Sequence, residues 1–249
     1  MEKPYLSVVT PCYNEAANLQ KGVFYKVADF LKNKDYSWEV IIIDDGSTDE
    51  SVSLVEKFTK SRQNFYLIKN PHQGKAAALI TGMLKAEGEN VLFADMDQAT
   101  PIEELDKLLP HLKNYDIVVG SRNAQRKGAP LTRLLMARGF MLLRNLILGI
   151  KISDTQCGFK LFKKVAVQEL FPKLKIYGGG LKKVKGSSVT AGFDVEVLFL
   201  AQKQGFKIKE VPVNWRYVET RRVGVLKDSW QGMWDMIRIR LNSLQGVYG

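Results

Sequence analysis

Cysteine is scarce in this chain. Only Cys12 and Cys157 occur among its 249 residues. Two thiols are too few for the disulfide framework of a small secreted domain, and they do not form a zinc-binding pattern. The sequence therefore indicates neither kind of stabilisation, and we expect a reducing compartment.

Long apolar segments are also missing. A membrane-spanning helix needs ~20 consecutive apolar residues, and the nearest approach, residues 131–148, carries Arg133, Arg138 and Arg144. Each of these arginines would cost about 2.5–3.5 kcal/mol near the centre of a bilayer. We expect a helix here that does not span. The amino-terminal residues lack the basic and long apolar regions of a signal peptide, so we expect no such leader.

Acidic residues are outnumbered by basic ones. The chain has 37 Lys and Arg against 26 Asp and Glu, which gives a formal net charge of +11. Such an excess favours anionic partners, namely nucleic acid, an acidic membrane surface or a phosphorylated substrate. No helix-turn-helix or RNA-binding signature is present, so we do not expect nucleic acid to be the partner.

Strand-like and helix-like segments alternate through the first half. Strands are predicted at 5–10, 38–44, 65–69, 90–94 and 116–120. Helices are predicted at 15–32, from an N-cap at Ser47 or Thr48 to about 61, at 74–86 and at 101–113. This order is typical of an α/β fold with a doubly wound, mostly parallel sheet. Polar residues follow four of the strands, at 11–15, 44–49, 95–97 and 121–122. Ligands bind beyond the carboxyl ends of such strands, so these loops predict one site.

The clearest chemical signal is the pair Asp95 and Asp97 in F-A-D-M-D-Q-A-T-P. In a strand, residues two apart point the same way, so both carboxylates could face one space. Two close carboxylates repel each other unless a cation lies beside them. Mg²⁺ or Mn²⁺ takes carboxylate and phosphate oxygens as ligands, which suits a bound nucleotide diphosphate. Because D-x-D also recurs in ordinary surface turns, the pair alone does not establish a site.

Other motifs accompany the pair in a consistent order. These are V-V-T-P-C-Y-N-E, V-I-I-I-D-D-G-S-T-D and N-P-H-Q-G-K-A-A-A-L in the first half, then G-S-R-N-A, D-T-Q-C-G-F-K-L-F, G-F-D-V-E-V-L-F-L-A and E-V-P-V-N-W. Together they resemble the family 2 glycosyltransferases of GT-A fold, and most closely the polyprenyl-phosphate transferases of the dolichyl-phosphate glucosyltransferase branch. The mannosyl-phosphate branch has a Gln two residues past the second Asp. Here that position is Ala99, which favours the glucosyl branch.

The resemblance implies roles for individual residues on the donor side. Asp44 would contact the base or ribose, whereas Asp45 would either do so or cap the next helix. Lys75 would meet a phosphate or else be a solvated surface lysine. The implied nucleotide-sugar site comprises Pro11, Tyr13, Glu15, Asp44, Asp45, Lys75, Asp95, Met96, Asp97 and Arg222. Asp95 and Asp97 would hold the Mg²⁺ or Mn²⁺.

The acceptor implied by the resemblance is a polyprenyl phosphate. Its phosphate monoester has a second pKa of about 6, so at neutral pH it needs no strong base. The enzyme must bring the anionic acceptor phosphate to a sugar that is attached to an anionic diphosphate, which requires cations beside both groups. The implied acceptor-phosphate residues are Arg122, Arg133, Arg138 and Lys160, and the implied catalytic residues are Asp97, Arg122, Arg138 and Asp154. Asp154 and Glu196 would orient the arginines or the sugar, or form buried salt bridges.

A helical apolar stripe near the carboxyl end indicates contact with a membrane surface. Leu226, Trp230, Met233, Trp234, Ile237 and Leu241 follow helical spacing, which suits a helix in the interface plane. The alternative is a helix packed on the protein's own core. We predict a catalytic domain at 1–222 and an interface helix at 223–249, peripheral or monotopic on a cytoplasmic leaflet. The expected reaction transfers glucose from UDP-glucose; GDP-mannose as donor and a saccharide hydroxyl as acceptor are the alternatives.

Overall fold

The computed structural model describes residues 3–122, 131–177, 191–216 and 225–248. Within these ranges seven strands form one sheet in the order β3-β2-β1-β4-β6-β5-β7. The strands are β1 Leu6–Cys12, β2 Trp38–Asp44, β3 Phe65–Lys69, β4 Asn90–Ala94, β5 Ile117–Ser121, β6 Phe159–Lys163 and β7 Ile208–Pro212.

Helices connect and cover these strands. They are α1 Ala16–Gln20, α2 Val23–Lys32, α3 Ser51–Thr59, α4 Lys75–Lys85, α5 Leu105–Leu108, α6 Leu131–Leu148, α7 Lys164–Leu170, α8 Ala191–Lys203 and α9 Val225–Leu244. Short 3-10 turns lie at Ile102–Glu104, Leu109–Lys113 and Phe171–Lys173. None of the helices in the described part of the chain is long and apolar enough to cross a membrane.

The sheet is mostly parallel, as the sequence predicts. β1 pairs in parallel with β2 and with β4, and β5 pairs in parallel with β7. β6 is the exception, because it runs antiparallel to both β4 and β5. Its first residue, Phe159, lies opposite Ala94, the last residue of β4. The residues that precede β6 therefore reach the same edge of the sheet as the residues that follow β4.

Side chains from the two faces of the sheet fill two hydrophobic clusters. In β2, Ile41 and Ile43 belong to one cluster, and Val40 and Ile42 belong to the other. This arrangement confirms the prediction that the apolar run at 38–44 is a strand buried on both faces. Met236 of α9 joins the first cluster, so α9 packs on the same core as the sheet.

Three predicted helices differ from the helices in the structure. The segment 15–32 contains two helices, because Gly22 adopts a left-handed φ of 76° at the N-cap of α2. The segment 101–113 contains only the four-residue α5 between two 3-10 turns; Pro110, at the start of the second, has no N–H to continue an α-helix. α3 begins at Ser51 with Glu50 as its N-cap, rather than at Ser47 or Thr48.

Candidate active site

The loops after β1 and β2 are joined by hydrogen bonds at the carboxyl edge of the sheet. The Asn14 backbone N–H donates to Ser47 Oγ at 3.0 Å, and the Thr48 N–H donates to Asn14 Oδ1 at 2.8 Å. The buried Asp44 carboxylate accepts the N–H groups of Gly46 and Ser47, at 3.0 and 3.2 Å. The structure thus places Asp44 as the residue that shapes this turn, and its contact with a base or ribose stays a prediction.

Asp45 fixes the loop that leads into α4. Its carboxylate accepts the backbone N–H groups of Gln73 at 2.9 Å and Gly74 at 2.8 Å. It also lies 2.8 Å from Nδ1 of His72. The imidazole of His72 in turn stacks on the ring of Tyr13, with ring centroids 4.1 Å apart and planes only 6° apart. Asp45 therefore organises the approach to α4, and these contacts do not cap α3.

Pro11 and Glu15 lie on the same side of the sheet. Pro11, half-buried in β1, pairs with Ile43 of β2. The Glu15 N–H donates to Ser51 Oγ at 2.7 Å, and its carboxylate accepts a hydrogen bond from Asn18. The charge of Glu15 also contributes to the raised pKa of Asp97. The loop after β1 therefore lies close enough to the turn after β4 for their charges to interact.

The Asp95–Asp97 pair lies in a turn just beyond β4, not within the strand. Gln98 has a left-handed φ of 50°, and the Ala99 N–H donates to Asp97 Oδ1 at 3.0 Å. Met96 between the two carboxylates is buried in the core. Burial and the nearby Asp95 charge raise the pKa of Asp97. A cation beside the pair would relieve that repulsion, so these two oxygen donors fit a hard divalent ion.

The described residues supply few further metal ligands beside Asp95 and Asp97. Among the described residues, no group of three or more His, Cys, Asp or Glu side chains is arranged to hold a metal ion. Mg²⁺ characteristically binds through one or two carboxylates and completes its shell with phosphates and water. The two-carboxylate donor set therefore fits a metal that arrives with a diphosphate.

Lys75 lies beside the pair at the start of α4. Its ammonium is 2.6 Å from Asp95 Oδ1. Burial lowers the pKa of Lys75, but the charges of Asp95, Asp194 and Asp97 outweigh burial and raise it overall. Lys75 is therefore charged at neutral pH and is held at the acidic pair rather than free in solvent. This position agrees with the predicted phosphate contact.

Lys160, predicted to bind the acceptor phosphate, is buried beneath the site. Its ammonium is 2.5 Å from Asp194 Oδ1 and 2.6 Å from the Cys157 carbonyl oxygen. Lys75 and Lys160 each lie 5.4 Å from the centre of the Phe93 ring. Asp194 is thus an acidic residue of the site that sequence reasoning missed in favour of Glu196.

Arg122 and Asp154 form a two-point ion pair at the end of β5. Arg122 Nε and Nη2 donate to the carboxylate at 2.8 and 2.7 Å, and the Arg122 backbone N–H donates to the same group at 2.8 Å. Burial alone would lower the pKa of Arg122, but the bonds to Asp154 raise it. The guanidinium also lies 5.7 Å from the Trp215 ring centre. Asp154 therefore fixes the position of Arg122, a contact that fits both the orienting role and the buried salt bridge left open by the sequence.

Other predicted residues lie away from this cluster or outside the described part of the chain. Glu196 is fully buried and accepts hydrogen bonds from the Lys175 N–H, the Ile176 N–H and Tyr248 Oη. Arg144 of α6 is also buried and donates hydrogen bonds to Thr155 Oγ1 and the Ile152 carbonyl oxygen, so its guanidinium is bound within the protein. The side chains of Arg133 and Arg138, and all of Arg222, lie outside the described residues.

The site therefore contains the Asp95–Asp97 pair with Lys75 beside it, and Arg122, fixed by Asp154, at the end of β5. Residues 7–171, more than half of the chain, match the family model of Glycosyl transferase family 2. The chain belongs to glycosyl transferase family 2.

The sequence relatives of this family 2 glycosyltransferase indicate which branch of the family it is most similar to. Dolichyl-phosphate beta-glucosyltransferase from Saccharomyces cerevisiae is 32% identical over 272 residues, which cover 99% of this chain and 77% of the relative. The Homo sapiens dolichyl-phosphate beta-glucosyltransferase is 31% identical, with 98% of this chain and 77% of the relative covered. These similarities confirm the predicted dolichyl-phosphate glucosyltransferase-like branch.

Solved structures support the GT-A fold of this glycosyltransferase. Glucosyl-3-phosphoglycerate synthase from Mycobacterium tuberculosis, solved with uridine diphosphate, aligns with a TM-score of 0.64 at 20% identity and covers 95% of this chain and 80% of its own. Mannosyltransferase PcManGT from Pyrobaculum calidifontis, solved with GDP-Man and Mn²⁺, has a TM-score of 0.55 at 20% identity, over 89% of this chain and 59% of its own. These structures confirm the predicted α/β GT-A fold. The predicted glycosyltransferase class is confirmed by the family model and the sequence relatives.

Proposed function

We propose that this glycosyltransferase moves glucose from UDP-glucose to dolichyl phosphate or a related polyprenyl phosphate, with inversion at the sugar carbon. The observation that carries the proposal is the similarity to dolichyl-phosphate beta-glucosyltransferases over nearly the full chain. The arrangement of charge at the site agrees with it. The anionic donor and the anionic acceptor each need a cation; Lys75 lies at the start of α4 beside Asp95, and Arg122 lies at the end of β5.

In the proposed reaction an oxygen of the acceptor phosphate attacks the anomeric carbon. The new carbon–oxygen bond forms as the bond to UDP breaks, and UDP leaves with the electron pair. The attacking phosphate is mostly a dianion at neutral pH, since its second pKa is about 6. No side chain has to remove a proton, which agrees with a site in which Asp154 and Asp194 are already paired with cations.

The side chains divide this work. Lys75, held beside Asp95, places positive charge where the leaving diphosphate gathers negative charge. Asp95 and Asp97 would hold the Mg²⁺ or Mn²⁺, which when bound offsets the charge of the diphosphate. Arg122 is fixed by Asp154 through Nε and Nη2, and its remaining Nη N–H groups would donate to the acceptor phosphate.

A donor panel tests the proposal. The protein is incubated with dolichyl phosphate in detergent, with Mg²⁺ or Mn²⁺, and with UDP-glucose, GDP-mannose or UDP-N-acetylglucosamine in turn. We expect a glucolipid from UDP-glucose on thin-layer chromatography. A mannolipid from GDP-mannose alone would replace the donor assignment. Turnover only with a saccharide hydroxyl, and no lipid-linked product, would contradict the proposal.

We also propose that α6 and α9 rest on the cytoplasmic face of a membrane, where the lipid acceptor resides. α6 packs against α9. Trp230 and Trp234 are exposed by 60% and 46%, and Leu241 and Leu244 continue the same stripe. This exposed stripe lies opposite the α9 residues that pack on the core, Met236 and Ile239.

The charges and neighbours of the stripe support a lipid partner. Arg238 and Arg240 are exposed and flank the stripe on both sides, whereas Asp235, the one acid among the described α9 side chains, is buried. Tryptophans flanked by arginines suit an anionic bilayer surface. On α6, Leu142, Leu143 and Leu146 are exposed by 65%, 44% and 84%. The two buried, unpaired thiols agree with the cytoplasmic side.

Removing the tryptophans tests this placement. In co-sedimentation with vesicles of phosphatidylcholine and phosphatidylserine, we expect Trp230→Ser and Trp234→Ser each to weaken binding by about tenfold, because each removes a large apolar side chain from the contact. Tyr66→Ser, at an exposed aromatic residue on β3, is the matched control and should bind as the wild type does. Unchanged sedimentation of the double tryptophan variant would contradict the proposal.

A further inference from the structure

We propose that His72 is a positioning residue for the donor nucleotide. Its imidazole, fixed by Asp45, backs the ring of Tyr13 so that a nucleobase can stack on the opposite face of that ring. The inference rests on the proposed function in one respect, because it requires a nucleoside diphosphate donor. The resemblance places Tyr13 in the nucleotide-sugar site but assigns His72 no role.

The contact between the two rings has the form of a platform. The planes are nearly parallel, 6° apart, and the centroids are 4.1 Å apart. Aromatic rings packed in the core of this protein meet differently; Phe58 and Phe65, for example, meet edge-on at 83°. Tyr13 and His72 are only half-buried, so their stack is open to a ligand rather than enclosed by the core.

The imidazole of His72 is held in place by two oxygen atoms of Asp45. Nδ1 lies 2.8 Å from both Oδ2 and the backbone oxygen of Asp45. The Asp45 carboxylate is itself 2% exposed and is fixed by two backbone N–H groups. Gly46 leaves room for the histidine, since a Cβ there would lie 3.0 Å from His72 Cβ. The orientation of the imidazole is therefore set before any ligand binds, and the entropy cost of ordering the platform is already met.

The same short segment reaches the other end of the donor site. Two residues after His72, the Gly74 N–H is bound by Asp45, and Lys75 follows with its ion pair to Asp95. One fixed loop thus carries both the backing of the base platform and the lysine at the proposed diphosphate position. His72 would set where the base lies relative to the phosphates, which predicts an effect on donor binding more than on the chemical step.

Two substitutions of similar size separate stacking from hydrogen bonding. His72→Phe and His72→Leu both lose the bond to Asp45, but only Phe keeps a flat ring against Tyr13. By titration calorimetry with UDP and Mg²⁺, we expect His72→Leu to weaken binding about threefold to tenfold relative to His72→Phe. The KM for the nucleotide sugar should rise in parallel, while kcat and the KM for the lipid acceptor stay unchanged.

The chain offers a matched control in its other histidine. His111 contacts Tyr115 edge-on at 6.4 Å in the 3-10 turn after α5, away from the site. His111→Leu should bind UDP as the wild type does. Equal UDP affinity in His72→Leu and His72→Phe, or a fall in kcat and melting temperature with no selective change in donor KM, would overturn the inference. A wild-type protein that binds UDP yet makes no glucolipid contradicts the proposed acceptor and leaves this comparison decisive for His72.

Discussion

Replacing Asp97 with asparagine is expected to lower kcat at least a hundredfold while leaving the protein folded. Loss of a metal ligand or of transition-state charge stabilisation typically costs about 10²–10³ in rate. The side-chain oxygen that accepts the Ala99 N–H remains in asparagine, so the turn after β4 is kept. Burial and Asp95 already disfavour the charged form of Asp97. A neutral side chain there should therefore not destabilise the fold.

This combination of results distinguishes a site residue from a structural one. The melting temperature of Asp97→Asn should equal or exceed that of the wild type, whereas the strengthening of UDP binding by Mn²⁺ should disappear. Asp106→Asn, at an exposed acid paired with Lys34, is the matched control and should retain full activity. Full metal-dependent turnover in Asp97→Asn would remove Asp97 from the proposed metal site.

The second large effect is expected at the Arg122–Asp154 pair. Asp154→Ala should lower the free energy of unfolding by about 3–5 kcal/mol, because removing one partner leaves the other charge buried without compensation. For a chain of this size that corresponds to a fall of about 6–20 °C in melting temperature. The Arg122 N–H loses its acceptor at the same time. Arg122→Ala combined with Asp154→Ala should cost less than the sum of the two single changes, since the partners are coupled.

Charge and geometry can be separated at the same pair. Arg122→Lys keeps the positive charge but cannot donate through a planar fork, so we expect stability closer to that of the wild type but a raised KM for the lipid acceptor. Glu56→Ala breaks the exposed pair with Lys69 and should leave the melting temperature unchanged. An Asp154→Ala variant that melts within about 2 °C of the wild type would contradict the structural role of the pair.

The first half of the fold was predictable because its strands are continuous apolar runs. The convergence of four polar loops also followed, since parallel strands end at one edge of the sheet. β6 was not predictable in the same way. Its sequence F-K-L-F-K contains Lys160, which reads as a surface or ligand-binding residue. In the structure this strand pairs with β4 and β5, and Asp194, far along the chain, neutralises the buried charge of Lys160.

His72 and Asp194, which were not predicted from the sequence, also depend on partners that are distant in the chain. His72 acquires its role only when Asp45 and Tyr13 come beside it; its place just before G-K was the one local signal. In G-F-D-V-E, sequence reasoning singled out Glu196 rather than Asp194. Residues two apart on a helix point about 200° apart, so they cannot both face the site. Glu196 faces Tyr248 and Asp194 faces Lys160.

The first turns of α8 contact both α9 and β6. Gly192 packs so closely on α9 that a Cβ there would lie 2.5 Å from Asp235 Oδ2. Two residues on, Asp194 holds Lys160 of β6, and after two more Glu196 holds Tyr248 at the end of the chain. Less than two turns of α8 therefore connect α9 to β6, whose first residue lies opposite the end of β4, just before the Asp95–Asp97 turn. In the membrane placement proposed above, a displacement of α9 would therefore be passed to β6 and to the end of β4, beside the proposed donor site.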